Sequence, residues 1–294
     1  MKDACEITMA LGGKWYQSYG VAPCPVCQPE GRRDQNGLTL ANGRTGLLLD
    51  CKKSGCAFLD ILTAAGIVPG GYQPPDPATL ARRRAERRKE AERRGEHAKR
   101  LWLEAQPILG TVAEAYLRDV RGITCTLPAT LRFHSACWHG PTGKPYPAMV
   151  AAVQGAGLPA VHRTFLQADG VGKAAIDPDK MMLGATAGGA VRLTEGPGPL
   201  VVTEGIETAL SLACGLLHGP ATVWAALSTS GIRGLHLPQN PHSLTIAPDG
   251  DTAGREAANA LAERAHALGW QVSLLPAPDG YDWNDILTGK AVAA

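Results

Sequence analysis

Two carboxylates one residue apart, at the end of an apolar run, constrain this chain more than any other feature. In Ser243 to Ala258, SLTIAPDGDTAGREAA, the run Leu244-Thr245-Ile246-Ala247 reads as a buried strand that stops at Pro248. Asp249 and Asp251 follow, separated by Gly250, and Thr252 is placed to cap a helix with apolar residues at Ala257, Ala258, Leu261, Ala262 and Ala265. The carboxylates therefore fall just past the carboxyl end of a strand, where open α/β sheets place their ligands. Two close aspartates repel each other unless a cation lies between them, and their oxygens are hard ligands suited to Mg²⁺ or Mn²⁺. Taken alone, Asp-Gly-Asp reads more simply as a solvated turn.

Two other stretches reverse that balance. Leu200-Val201-Val202-Thr203 is a second buried-strand pattern, it ends on Glu204-Gly205, and an apolar helix is expected from Ile206 through Leu217. Gln271-Val272-Ser273-Leu274-Leu275 reads as a third strand, followed by Tyr281-Asp282-Trp283-Asn284-Asp285. Helical segments lie between them, so a parallel sheet would bring all three acid clusters to one edge.

Here the residues resemble a family. LVVTEGIETAL, IAPDGDTAGREAA and YDWNDIL are similar to the three motifs of a Toprim domain, and the form D-G-D-x-A-G-R-x-A-A resembles that of DnaG-like primases of bacteria, phages and plasmids. The resemblance covers roughly the last third of the chain. It implies Mg²⁺ or Mn²⁺ held by Asp249 and Asp251, with Glu204 a ligand or a base, and with Asp282 and Asp285 serving a second ion or outer-shell support. Two positions depart from the family pattern. The acid often found four residues after the glutamate is Thr208 here, with Glu207 one place earlier, and the final D-x-D reads Asp282-x-Asn284.

Eight cysteines with no evident secretory signal point to metal ligands or buried thiols, not disulfides. Cys24 and Cys27 form C-x2-C, and Cys51 and Cys56 form C-x4-C, with Leu38–Leu40 and Gly46–Leu49 between them as hairpin strands around Asn42-Gly43. Four thiolates in that pattern suit a closed, structural Zn²⁺ site, which stabilises a fold with too little core of its own. The module resembles the primase zinc ribbon, which contacts single-stranded template. Lys14, Arg32, Arg33, Arg44, Lys52 and Lys53 can meet phosphates; Trp15, Tyr16 and Tyr19 can stack on bases or pack a small core. Cys5, Cys125, Cys137 and Cys214 show no such pairing, and His134, Cys137 and His139 lack a fourth ligand nearby.

The remaining chain divides by composition. Residues 66–77, GIVPGGYQPPDP, read as a linker, and the Ala/Arg/Glu/Lys-rich stretch after it as an exposed helical spacer that Gly95 breaks or bends. From 105 to 195 a short helix and strand patterns at 131–133, 147–153 and 160–166 suggest an α+β middle unit. By resemblance to the primase core, Arg163, Lys173 and Lys180 would line its groove for template or nucleotide. The expected organisation is α/β: zinc ribbon at 1–65, spacer at 66–104, basic middle unit at 105–195 and Toprim domain at 196–294.

A net charge of +2 says little about a polyanionic partner, and no apolar run approaches a membrane span. The combined expectation is a cytoplasmic primase making RNA primers from ribonucleoside triphosphates on single-stranded DNA, with a separate replicative helicase implied by the resemblance alone. A Toprim nuclease and a non-catalytic single-stranded-DNA-binding module remain the alternatives. Limited proteolysis should cut first within residues 66–77; initial cleavage within 200–290 would move the boundary.

Overall fold

The computed structural model describes residues 3–32, 34–43, 46–67 and 77–289. The linker expected at 66–77 falls almost wholly outside them, as do Arg33 and Arg44. The chain forms two compact units, Met1–Arg87 and Arg88–Ala294.

In the first unit, helix α1 (Ala4–Ala10) precedes strands β1 (Lys14–Trp15), β2 (Tyr19–Ala22), β3 (Leu38–Asn42) and β4 (Leu47–Cys51), and helix α2 (Phe58–Ala64) follows. The strands pair antiparallel in chain order. Asp3 starts α1 through a reciprocal cap with Glu6, and Arg83 pairs with Asp3. The core is small: Ile7, Leu38, Leu40, Leu47, Ile61 and Leu62, with Cys24 and Cys51 buried among them. So little apolar volume is what a metal-stapled module is expected to show.

Helix α3 (Pro77–Glu104) carries the charged run. Gly95 does not break it. The helix continues to a packed end where Ala98 and Leu101 meet the next sheet, and Gly95 lies against Leu158 and Pro159.

In the second unit, β5 (Gln106–Pro107), β6 (Leu131–His139), β7 (Lys144–Val153), β8 (Ala160–Phe165) and β9 (Lys180–Gly184) form an antiparallel sheet in chain order, with helix α4 (Val112–Ala115) running into a π-helical turn at Tyr116–Val120. A second sheet contains β10 (Val191–Thr194), β11 (Leu200–Thr203), β12 (Thr222–Ala225), β13 (Ser243–Ala247) and β14 (Gln271–Leu274), in the order β10-β12-β11-β13-β14. Only β10 runs antiparallel. β11, β13 and β14 coincide with the apolar runs of the sequence; β10 and β12 were not expected from it. β14 is an edge strand and largely exposed.

Alternation along β11 sorts the two sides of this sheet. Val201 joins Ile206, Ala209 and Leu210 of helix α5 (Ile206–Ser211) and the antiparallel sheet's Phe133, Met149 and Ala151 in one core. Leu200 and Val202 join Ile232 of helix α6 (Thr229–Gly234) and Ala257, Ala258, Leu261 and Ala265 of helix α7 (Thr252–Ala267) in the other. Helix α8 (Trp283–Leu287) lies beside α5. The apolar stretch after Glu204 is not one helix: α5 gives way at Leu212–Leu216 to a π-helical turn that ends through Gly215 at φ 113°. No helix among the described residues is long and apolar enough to cross a membrane.

Candidate metal and phosphate site

Register sets the site. Thr203 stands level with Ala225 on one side and Ala247 on the other. Glu204 therefore leaves the sheet beside the segment that carries Asp249. Its carboxylate is raised from the usual range, first by burial and then by Asp251; Lys180 and a hydrogen bond from the Thr229 backbone, at the start of α6, oppose this. Leu227, held at φ 74°, gives its N–H to the Glu204 carbonyl at 2.7 Å and brings the loop after β12 over the same edge.

Gly250 has a steric purpose. A Cβ there would lie 1.9 Å from the Pro278 carbonyl oxygen, and the Gly250 N–H bonds the Tyr281 carbonyl at 2.8 Å. This close approach draws the third acid cluster onto the first. Asp249 is consequently pushed up to about 7, by burial, then by Glu204, then by Asp282, while the Thr208 hydroxyl donates to it at 3.3 Å. Thr208, in place of the family's acid, thus ties down an aspartate without adding a negative charge.

Asp251, not Thr252, caps α7, accepting the Gly254 N–H at 2.6 Å. Asp282 caps α8 and exchanges bonds with Asp285: each accepts the other's backbone N–H, at 2.8 and 3.3 Å. Asn284 turns inward, 1% exposed, and holds the Arg121 carbonyl and the Ser211 hydroxyl.

Behind the acids lies a polar network that the motif reading missed. Glu207 is buried, accepts the Tyr116 hydroxyl at 3.0 Å and faces the Lys180 ammonium at 3.6 Å. Burial alone would raise the Glu207 carboxyl; Lys180, Lys173 and Arg121 outweigh it and hold the group down to about 2. The chain of contacts continues through Arg121, which donates to the Tyr116 oxygen at 2.8 Å and to Asn284 at 3.2 Å. An acid on the inward face of an otherwise apolar first turn was the one sequence signal of Glu207. Its partners, 91 residues back at Tyr116, carry none. Nearby His162 is pressed down to about 4, chiefly by burial, and its Nδ1 has no protein partner.

The basic residues expected to share a groove separate. Lys180 pairs with Thr164 across β8 and β9 and reaches Glu207; Lys173, bonded to Asp179 at 3.2 Å, lies near enough to act on the same acid. Arg163 does not join them. Strand alternation puts it on the face of β8 opposite His162, 8% exposed, with its guanidinium on the Trp138 carbonyl and over the Phe165 ring. That buried position removes Arg163 from any groove shared with Lys173 and Lys180.

In the first unit, Cys24, Cys27, Cys51 and Cys56 have all four sulfurs within 4.8 Å of one another, and Cys27 and Cys51 are 3.6 Å apart. Tetrahedral Zn²⁺ with bonds of about 2.3 Å needs sulfurs roughly 3.8 Å apart, so the donor set fits. Gly55, at φ 60°, makes the second knuckle, and the Ser54, Cys56 and Lys53 backbone bonds lower the Cys51 thiol against its burial. Lys14 is exposed, Trp15 packs partly into the small core, and Tyr16 and Tyr19 stack on each other at 5.2 Å. His134, Cys137 and His139 do not converge; His139 is buried between the Thr142 hydroxyl and the Pro178 carbonyl.

Among the described residues, the cysteines alone gather three or more metal-ligating groups within that 4.8 Å limit. The carboxylates of the acid edge stand wider. Their mutual repulsion and hard oxygens nevertheless fit a divalent cation that keeps part of its water shell, as Mg²⁺ does.

Residues 199–292 match the family model described as Toprim domain. Strands β11 to β14 and helices α5 to α8 fall within that match. Residues 92–193 match the model of a domain of unknown function, DUF7146. No curated protein matches. Among solved structures, the chain is similar to the Aquifex aeolicus primase (zinc-binding and RNA polymerase domains) at 12% identity and TM-score 0.41, covering 98% of this chain and 83% of that one. The primase fragment of the bacteriophage T7 primase-helicase protein gives 14% identity and TM-score 0.40, over 92% and 96%. The RNA polymerase domain of Mycobacterium tuberculosis primase DnaG gives 16% and 0.37, over 70% and 81%.

Two measurements check this site. Purified without chelator, the protein should carry one Zn²⁺ per chain by elemental analysis, and Cys51→Ser with Cys56→Ser should lose it. Glu207→Gln should lower stability at pH 7 by about 1–3 kcal/mol, read by urea denaturation. Because the Glu207 carboxyl sits below its unfolded value of 4.5, its contribution is complete above that pH and lost as pH falls toward 2. The gap between wild type and variant should close over that window.

Proposed function

We propose that this chain is a DnaG-like primase that joins ribonucleotides on single-stranded DNA, serving the replication of a phage, plasmid or similar element. One observation carries the reading: Glu204, Asp249 and Asp251 follow adjacent strand ends of the sheet that matches Toprim, while Lys180 of the antiparallel sheet acts on Glu204 and, with Lys173, on Glu207 behind it.

In the proposed reaction the 3′-hydroxyl of one nucleotide attacks the α-phosphorus of the next. An O–P bond forms, the bond to the bridging oxygen breaks, and pyrophosphate leaves. Asp249 and Asp251 would hold a hard divalent cation, with Asp282 beside Asp249 and Asp285 supporting Asp282. When bound, that ion supplies charge neutralisation at the attacking and leaving oxygens. Glu204, raised by burial and by Asp251, suits either ion ligation or acceptance of the hydroxyl proton. Lys180, pinned by Glu207, and Lys173 draw the triphosphate to the edge. The four-thiolate module, with Lys14 and the Tyr16–Tyr19 pair exposed, supports template contact at the other end of the chain. A replicative helicase remains a partner implied by sequence resemblance.

Ribonucleotide incorporation on unprimed single-stranded DNA, with Mg²⁺ or Mn²⁺, tests the reading. Asp249→Asn with Asp251→Asn should abolish synthesis, by at least about a hundredfold, and leave template binding equal or slightly stronger, since two charges that repel phosphate are gone. Template degradation without nucleotide dependence would favour a Toprim nuclease. Binding with no synthesis by the wild type would favour a non-catalytic module. Primer synthesis at the normal rate by the double variant would overturn the catalytic assignment.

A further inference from the structure

Outside the acid edge, one juxtaposition is unexplained by the fold or by the proposed reaction. Cys125 and Cys214, 89 residues apart in sequence, place their sulfurs 2.7 Å from each other. That is closer than unbonded sulfurs ordinarily stand, and about 0.7 Å beyond the bonded length of a disulfide. The two thiols have different surroundings. Cys214 Sγ accepts the Cys125 N–H at 3.2 Å. Cys125 Sγ instead points to the Leu210 carbonyl at 4.0 Å, and burial followed by Cys214 itself pushes its thiol up to about 12.

Both residues are half-buried, within reach of a small oxidant. Both lie where the backbone can yield: Cys214 has left helical geometry at φ −80°, ψ 20° and precedes Gly215, while Cys125 occupies the irregular stretch before β6. The stretch holding Cys125 is anchored by Arg118, which bonds its carbonyl at 2.6 Å. Cys214 ends the helical segment that carries Glu207 and Thr208.

We propose that Cys125 and Cys214 are a redox modification site, a dithiol that a peroxide converts to a reversible disulfide. The Cys214 thiolate attacks one peroxide oxygen, the O–O bond breaks and hydroxide leaves, giving a sulfenic acid. Cys125 sulfur then attacks Cys214 sulfur, the S–S bond forms, the S–O bond breaks, and the Cys125 proton leaves with that oxygen as water. The two thiols lose two electrons and two protons, and one hydrogen peroxide becomes two waters. The bond joins the stretch after Tyr116 and Arg121 to the segment bearing Glu207, whose side chains already meet through the Tyr116 hydroxyl.

The test uses the full zinc-loaded chain, treated with hydrogen peroxide near stoichiometry, alkylated and digested without reductant. The expected product is a peptide pair linked at Cys125 and Cys214, lighter by two hydrogens and separated by dithiothreitol, with zinc still bound by a colorimetric release assay. The oxidised chain should unfold roughly 5 °C higher than the reduced one. Cys125→Ser should leave Cys214 as a sulfenic acid that a dimedone probe labels. The mapping on wild type stands even if that variant folds poorly. Separate alkylation of both thiols after oxidation, or zinc release and cross-linking confined to the four-cysteine cluster, would overturn the proposal.

Discussion

Thr203, Ala225 and Ala247 stand level across three parallel strands, and the chemistry of this protein depends on that register. A strand's side chains alternate faces, but its end has only one position. Aligning strand ends therefore collects whatever residues follow them, however distant in sequence. Here Glu204 and Asp249 follow. Gly250 then completes the edge by allowing the 278–281 loop to touch the turn backbone, which carries Asp282 to Asp249. Carboxylates so gathered repel one another, and after burial that strain adds to the rise of Asp249 to about 7. The same strain suits the edge to a cation.

A second electrostatic arrangement keeps the first in place. Glu207 is an ionised group in the core, a situation that costs several kcal/mol unless paired and hydrogen-bonded. Lys180, Tyr116 and the nearby Arg121 meet that need, and Asn284 and Ser211 tie the set to α8 and α5. The network joins β9 of the antiparallel sheet, through Lys180 and Glu207, to α5 and α8 beside the acid edge. The first unit is organised differently. Its apolar core is too small to dominate, and four converging sulfurs take that role.

Much of this was legible in the chain. Apolar runs ending on acids, the Cys-x2-Cys and Cys-x4-Cys spacing and the charged helix determined the parallel sheet, the thiolate cluster and α3, because each is a local pattern of hydrophobicity or ligand spacing. Only the tertiary structure decided the rest. Arg163 and His162 are neighbours in sequence, yet strand alternation sends one to Trp138 and the other toward Glu207. Gly95 looked like a breaker, but α3 runs through it, buried beside Pro159. Asn284 looked like a missing ligand, and burial made it a structural tie. Cys125 and Cys214 looked unpaired because 89 residues separate them; the contact exists only once the turn after α5 folds back. Local sequence fixes which groups are present and how a segment curls. Which distant groups meet depends on closing long loops around a shared core, and no short-range pattern records that.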